Sequence, residues 1–321
     1  MKASKLLMMV LAVAVSLGLT SAAWAQDKLV VGFSQIGAES GWRSAETKVA
    51  KQEAEKRGID LKIADAQQKQ ENQIKAVRAF IAQGVDAIFI APVVETGWTA
   101  VLKEAQEAGI PVFLLDRLID AKDEALYTSA VVSDQVLEGR MAADWLVKES
   151  GGACNIVELQ GTVGASVTNN RKKGFEEGIA GHPGMKIIRS QSGDFTRSKG
   201  KEVMESFIKA ENSGKNICAM YAHNDDMAIG GIQAVREAGL KPGKDILTVS
   251  IDGVPDIFKA MADGEANATV ELTPNMAGPA FDALIKMKKE GVKPPKTILT
   301  ETKAYFPDTA QKEYDVRKDL Y

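Results

Sequence analysis

Short apolar runs alternate with segments of helical period along nearly the whole of this 321-residue chain, and that alternation constrains its fold more than any other feature. In the first half, "KLVVGFSQ", "IDLKIAD", "VDAIFIAP" and "IPVFLLDR" are separated by "WRSAETKVAKQEAEKRG", "QENQIKAVRAFIAQG" and "GWTAVLKEAQEAG". The apolar runs have strand length, whereas the intervening segments place apolar residues at i, i+3 and i+4, so they read as four strands and three helices in successive βαβ units. Strands joined by helices pair in parallel, with helices on both faces of the sheet. The second half repeats the scheme from "CNIVELQG" to "DILTVSIDG", and "KEAQEAGIPVFLLD" parallels "QAVREAGLKPGKDILTVSID". The expected fold is α/β, with two similar doubly wound parallel-sheet lobes; a 45% hydrophobic chain of this length can fill two cores.

Open parallel sheets bind ligands beyond the carboxyl ends of their strands. Polar residues collect there: "FSQIGAESGWR" after the first strand, Asp116 and Arg117 after the fourth, Asn224 and Asp225 after "CAMYAH", and Asp252 after "LTVSI". Any one Asp or Asn among them is equally well read as a helix cap or turn residue. Caps do not explain the whole set facing one crevice with two or three arginines. Carboxylates and amides accept hydrogen bonds from vicinal hydroxyls, arginine donates in a fixed fork, and an aromatic face covers the C–H surface of a sugar ring. Arg117 beside Asp116 is expected to keep that carboxylate ionised.

Lys2 and Lys5 precede an apolar run over 6–18, and "AWA" at 23–25 has the small-x-small cleavage pattern, so residues 1–25 read as a signal peptide cut after Ala25. Its removal leaves 38 basic and 43 acidic residues, a net charge of −5, which argues against a nucleic-acid partner. Export places Cys154 and Cys218 where disulfides form, at the starts of two strands expected to be neighbours. A bridge is expected, two free buried thiols being the alternative. The two histidines share no ligand spacing with the cysteines, so no metal or cofactor is expected.

The segments "DR" after the fourth strand, "NNRKKGF", "GDFTRSKG", "YAHNDDMAIG" and "SIDG", in that order, resemble the periplasmic sugar-binding receptors of ABC transporters related to ribose-binding protein. "GFSQIGAESGWR", "ADAQQKQENQIKAVRAFIAQGVDAIFIAPVVETGW" and "VELQGTVGAS" are similar to the galactofuranose-binding branch of that family. The resemblance implies a type I periplasmic binding protein whose lobes, 26–130 with 272–302 and 131–271 with 303–321, join at a hinge of crossing segments. It implies a periplasmic, monomeric receptor that binds a monosaccharide, galactofuranose, and delivers it to a membrane permease. Asp116, Arg117, Arg171, Asn224 and Asp252 match sugar-binding positions and Phe195 a ring-stacking one. The first loop departs from the ribose type, with Glu39, Trp42 and Arg43 as candidates in place of Asn and adjacent aromatics. At a further position, near the third crossing, Leu272 or Glu271 replaces a glutamine.

Other residues have structural readings. Trp98 reads as a packing residue, His223 as a hydrogen-bonded strand-end histidine, and "KMKKEGVKPPK" as a solvated helix end. Glu158 and Asp116 are not fixed by sequence at a glycosidase separation, so no enzyme is expected. The alternative is the sugar-sensing domain of a LacI-type regulator, which requires a helix-turn-helix where this chain carries its leader.

Overall fold

The computed structural model describes residues 28–319; the expected leader lies outside them. The first sheet begins with β1 (Val30–Gln35), α1 (Gly41–Lys56), β2 (Asp60–Asp65), α2 (Gln70–Ala82), β3 (Ala87–Ile90), α3 (Thr99–Glu107), β4 (Val112–Leu115) and β5 (Ser129–Val132). The chain then crosses into α4 (Gln135–Glu149), β6 (Ala153–Gln160), α5 (Ser166–Ile179), β7 (Gly184–Ser192), α6 (Arg197–Ala210), β8 (Ala219–Ala222), α7 (Asp225–Glu237), β9 (Leu247–Asp252), α8 (Pro255–Ala262) and β10 (Ala268–Glu271). It returns for α9 (Ala277–Glu290) and β11 (Thr297–Leu299), then crosses once more for β12 (Ala304–Tyr305) and α10 (Pro307–Arg317).

Both sheets have six strands in equivalent order, β2-β1-β3-β4-β5-β11 and β7-β6-β8-β9-β10-β12, which is the doubly wound arrangement twice over. Two details differ from the sequence reading. Each sheet has two strands beyond the four expected, β5 and β11 in the first and β10 and β12 in the second, and these segments of two to four residues are held as strands by pairing with their neighbours. The second sheet is not wholly parallel: two-residue β12 runs antiparallel to β10.

The central strands carry no polar alternation because helices cover both faces; Ile88, Phe89, Ile90, Phe113 and Leu114 are fully buried. Phe89 sits 5.3 Å from Phe113 and 5.0 Å from Phe281 of α9, which is how a helix late in sequence packs on the first sheet. In the second, Tyr305 packs edge-on to Phe258, and the Arg317 guanidinium of α10 lies 4.9 and 5.0 Å from those two rings. Cys154 in β6 and Cys218 just before β8 are bonded, with Cα atoms 5.3 Å apart, as expected from the adjacency of those strands. Trp98 is fully buried and donates to the Val94 carbonyl, so it is a packing residue. "KMKKEGVKPPK" is mostly exposed, although Lys296 ties back to the carbonyls of Glu124 and Tyr127. No helix among the described residues is long and apolar enough to cross a membrane.

Candidate functional site

All nine candidate side chains line one cleft between the carboxyl ends of the two sheets, together with Ser40, Val167 and Leu272. Asp116, Arg117, Asn224 and Asp252 stand at or just past strand ends, Glu39, Trp42 and Arg43 at the start of α1, Arg171 in α5, and Phe195 in the β7–α6 loop. Capping turns aim them. The Ser40 hydroxyl accepts from Arg43 N at 3.1 Å and starts α1 so that its first turn faces the cleft; Asn224 caps α7 through Met227 N at 3.0 Å and donates to Phe195 O at 3.1 Å. Asn224 is therefore both a cap and a wall of the cleft.

Two close approaches place the second half of the site. At Gly139 and Gly174, α4 and α5 approach so nearly that an added Cβ would lie 2.1 Å from Arg171 O and 1.9 Å from Val136 O, and this contact sets Arg171 beside Glu138. At Gly161 a Cβ would lie 1.9 Å from the Phe195 ring.

In the first half of the site, Arg43 is the organising cation. Its Nε donates to Glu39 at 3.1 Å, its Nη2 to Asp116 at 2.6 Å and its Nη1 to Glu46. This corrects two expectations. The guanidinium that holds Asp116 is Arg43, since Arg117 Nε is 3.7 Å away. Arg43 is not a free fork for a ligand either, because each nitrogen already faces a carboxylate. Arg117 donates to Val93 O at 3.1 Å and lies 5.0 Å from the Phe195 ring centroid across the cleft; burial, with Arg43 nearby, pulls it down to about 10. In the second half, Arg171 donates to Glu138 at 2.8 Å and to His223 O at 2.6 Å, with Asp252 3.5 Å from Nη2. Burial opposes its charge, but Glu138 and Asp252 outweigh that and hold it protonated.

Glu39 Oε2, Asp116 Oδ1, Arg117 Nε and Arg171 Nη2 are buried with no hydrogen-bond partner among the described residues. Unpaired buried polar atoms are costly, and these four, on residues that line one small space, offer two acceptors and two donors without partners. Three cleft residues also have left-handed backbones, Asp116 (φ 63°), Phe195 (φ 62°) and Asp252 (φ 129°), a strain that concentrates at functional sites.

A supporting layer lies behind these groups. Asp225 accepts from Ser250, Thr269, Gly253 N and Val254 N, fixing the turn that presents Asp252; burial pushes it up to about 7. Glu158 is fully buried against His223 (3.0 Å), Lys172 (3.0 Å), Gln160 (2.9 Å) and Ser190, away from the cleft lining that holds Asp116. Burial works to raise Glu158, but these partners prevail and hold it well below the usual carboxylate range. A depressed carboxyl gives stability that is present above the unfolded pKa and lost as pH falls through the folded one. Glu158→Gln is therefore expected to cost about 2 kcal/mol at pH 7, with the gap to wild type narrowing below about pH 4.5, as paired urea titrations at pH 7 and pH 4 will show.

The sequence reading did not include Ser40, Val167, Glu46 or Glu138. Only Glu46 carried a signal, three residues after Arg43 on one helix face. At the hinge, Leu272 lines the cleft and its carbonyl accepts from Trp42 Nε1 at 2.7 Å, whereas Glu271 turns away to Arg317 at 2.7 Å and Tyr305 at 3.1 Å. The cleft is shut. Asp226 accepts from Gly41 N at 2.7 Å, Ser166 Oγ from Leu118 N at 2.8 Å, Gly164 O from Glu95 N at 2.9 Å, and Glu95 from Asn169 at 2.7 Å, all across it.

Comparisons with known proteins agree with this geometry. The chain is 72% identical over 308 residues to the galactofuranose-binding protein YtfQ of Escherichia coli K12, covering 96% of each. It superposes with a TM-score of 0.90 on a crystal structure of a galactofuranose binding protein at 73% identity, covering 91% of this chain and 99% of that one. The periplasmic component of the arabinose ABC transporter of Shewanella sp. ANA-3, bound to α- and β-L-arabinofuranose, matches at 58% identity and TM-score 0.87 over 90% and 96% of the two chains. The profile of the periplasmic binding protein domain matches residues 31–290, and with two doubly wound sheets closed over a polar cleft, this chain belongs to the periplasmic binding protein family.

Proposed function

We propose that this protein is a periplasmic solute receptor that closes over a monosaccharide in its furanose form, galactofuranose, and presents it to an ABC transporter permease. The observation that carries the reading is the set of unpaired buried donors and acceptors in the cleft, flanked by Trp42 on one side and Phe195 on the other. A furanose ring of galactose has an exocyclic diol in addition to its ring hydroxyls, so it presents polar atoms to both halves of the site while its C–H faces meet the aromatics. Glu39 Oε2 and Asp116 Oδ1 act as acceptors, and Arg117 and Arg171 as donors. The lobes, 26–130 with 272–302 and 131–271 with 303–321, move about the crossings, and the sugar stabilises the closed form because only there do both halves contact it. The protein works as a monomer, without nucleic acid and without a covalent step. The reported relatives are binding proteins, and no finding favours a regulator's sensing domain.

Thermal-shift and calorimetric titrations with D-galactose, methyl β-D-galactofuranoside, methyl β-D-galactopyranoside and D-ribose test the reading. The furanoside is expected to bind more tightly than the pyranoside and ribose, and Glu39→Ala to narrow that preference; equal or tighter binding of the pyranoside or ribose overturns the galactofuranose assignment.

The bonds across the cleft away from the sugar affect residence time. Asp226→Ala removes the acceptor for Gly41 N and leaves Arg197 only Asp256, so sugar release is expected to be about tenfold faster, roughly 1–2 kcal/mol, with the rank order of sugars unchanged. Stopped-flow release rates provide the check.

A further inference from the structure

The closed cleft buries more negative than positive groups. Glu39, Glu46, Asp116, Glu138 and Asp252 face Arg43, Arg117 and Arg171, an excess of two carboxyls over guanidiniums, with every side chain almost wholly excluded from water. Four of the five carboxyls have close donors. Glu39 and Asp116 accept from Arg43, Glu46 from Arg43 and Gln35, and Glu138 from Arg171. Asp252 has none: its nearest cation is Arg171 Nη2 at 3.5 Å, beyond good hydrogen-bond geometry, and it projects into the cleft from a backbone with φ 129°. The groups around it are mostly of its own sign: Asp116 from just past β4, Glu138 from α4 and Asp225 from α7 oppose Arg171 from α5, while His223, whose carbonyl Arg171 also holds, is neutral, its Nδ1 accepting from Gly161 N and its Nε2 donating to Glu158.

We propose that closure of the cleft takes up one proton at Asp252, which then meets the sugar as a neutral acid, donating a hydrogen bond to a ligand oxygen rather than accepting one. The inference rests on the receptor reading above. With the lobes apart, Asp252 faces water and is away from Asp116, keeping only Glu138, Asp225 and Arg171 of its own lobe beside it, and water stabilises its ionised form. With the lobes shut, burial pushes it well above the usual range; Arg171 opposes this, and Asp225, Asp116 and Glu138 add to it, in the same direction as the geometry. Asp252 thus selects a ligand with an acceptor oxygen at that point. Because the bound form holds the extra proton, affinity is fullest below the pKa of Asp252 in the open form, falls by up to about tenfold per pH unit above it, and levels off only beyond its pKa in the complex.

The test is calorimetric titration with D-galactose at pH 7.5 in phosphate, HEPES and Tris, whose ionisation enthalpies differ. The wild type is expected to show a buffer-dependent heat that corresponds to proton uptake approaching one per sugar. Asp252→Asn, which keeps the shape and a donor, is expected to retain affinity within a few fold and lose the buffer dependence, whereas Asp252→Ala weakens binding at least tenfold. Galactose binding with no buffer dependence in the wild type, or a loss in Asp252→Asn as large as in Asp252→Ala, overturns the proton linkage and leaves the receptor reading intact. Absence of binding to both D-galactose and methyl β-D-galactofuranoside overturns the two together.

Discussion

Arg171→Ala is expected to weaken sugar binding by at least about a hundredfold, about 3 kcal/mol or more, the largest effect of any single substitution in the cleft. Arg171 bonds Glu138 and the carbonyl of His223 and is the cation nearest Asp252, so its loss leaves buried Glu138 without its partner and removes the unpaired Nη2 donor from the cleft. Arg171→Lys is expected to recover only part of this, because an ammonium on a flexible stem cannot satisfy groups set around a planar fork. Calorimetry on both variants decides the point; near-native affinity in Arg171→Ala would place the ligand elsewhere. Circular dichroism melts distinguish lost binding from lost folding, since removing one partner of a buried ion pair also lowers stability.

Replacing both Cys154 and Cys218 by serine is expected to lower stability by about 4 kcal/mol, from the loop entropy restored to the unfolded chain by a bridge spanning 64 residues. The bridge joins the starts of neighbouring strands, at the ends of the sheet opposite the cleft, so sugar affinity at 25 °C is expected to stay within about twofold of wild type while the urea midpoint falls. A loss of less than about 1 kcal/mol would show that the sheet alone holds those strands. The same experiment in wild type with a reductant should reproduce the variant.

Much of the cleft was legible in the sequence because a doubly wound sheet converts order into position. Once β4, β8 and β9 are recognised as strands, Asp116, Asn224 and Asp252 must collect at one end of their sheets, and the bridge between β6 and β8 follows from their adjacency. The resemblance added the residues that topology alone does not single out, Arg171 and Phe195, which lie beyond strand ends in a helix and a loop.

What sequence could not supply depends on contacts between distant segments. Strands as short as β11 and β12 have no period to read, and pairing alone makes them strands. Neighbours in sequence were also a poor guide to neighbours in charge: Asp116 is followed by Arg117 yet bonds Arg43, because a residue past a strand end turns its side chain according to the loop that presents it, not the next residue. The choice between Glu271 and Leu272 was settled by Arg317, which draws Glu271 out of the cleft from a helix more than forty residues on. The alternation of apolar runs determined the two sheets and the end at which polar groups gather; the closed packing of one half on the other decided which carboxyls are hydrogen-bonded by a guanidinium and which, like Asp252, only stand near one, because in a buried site an ångström of separation decides how firmly a charge is held.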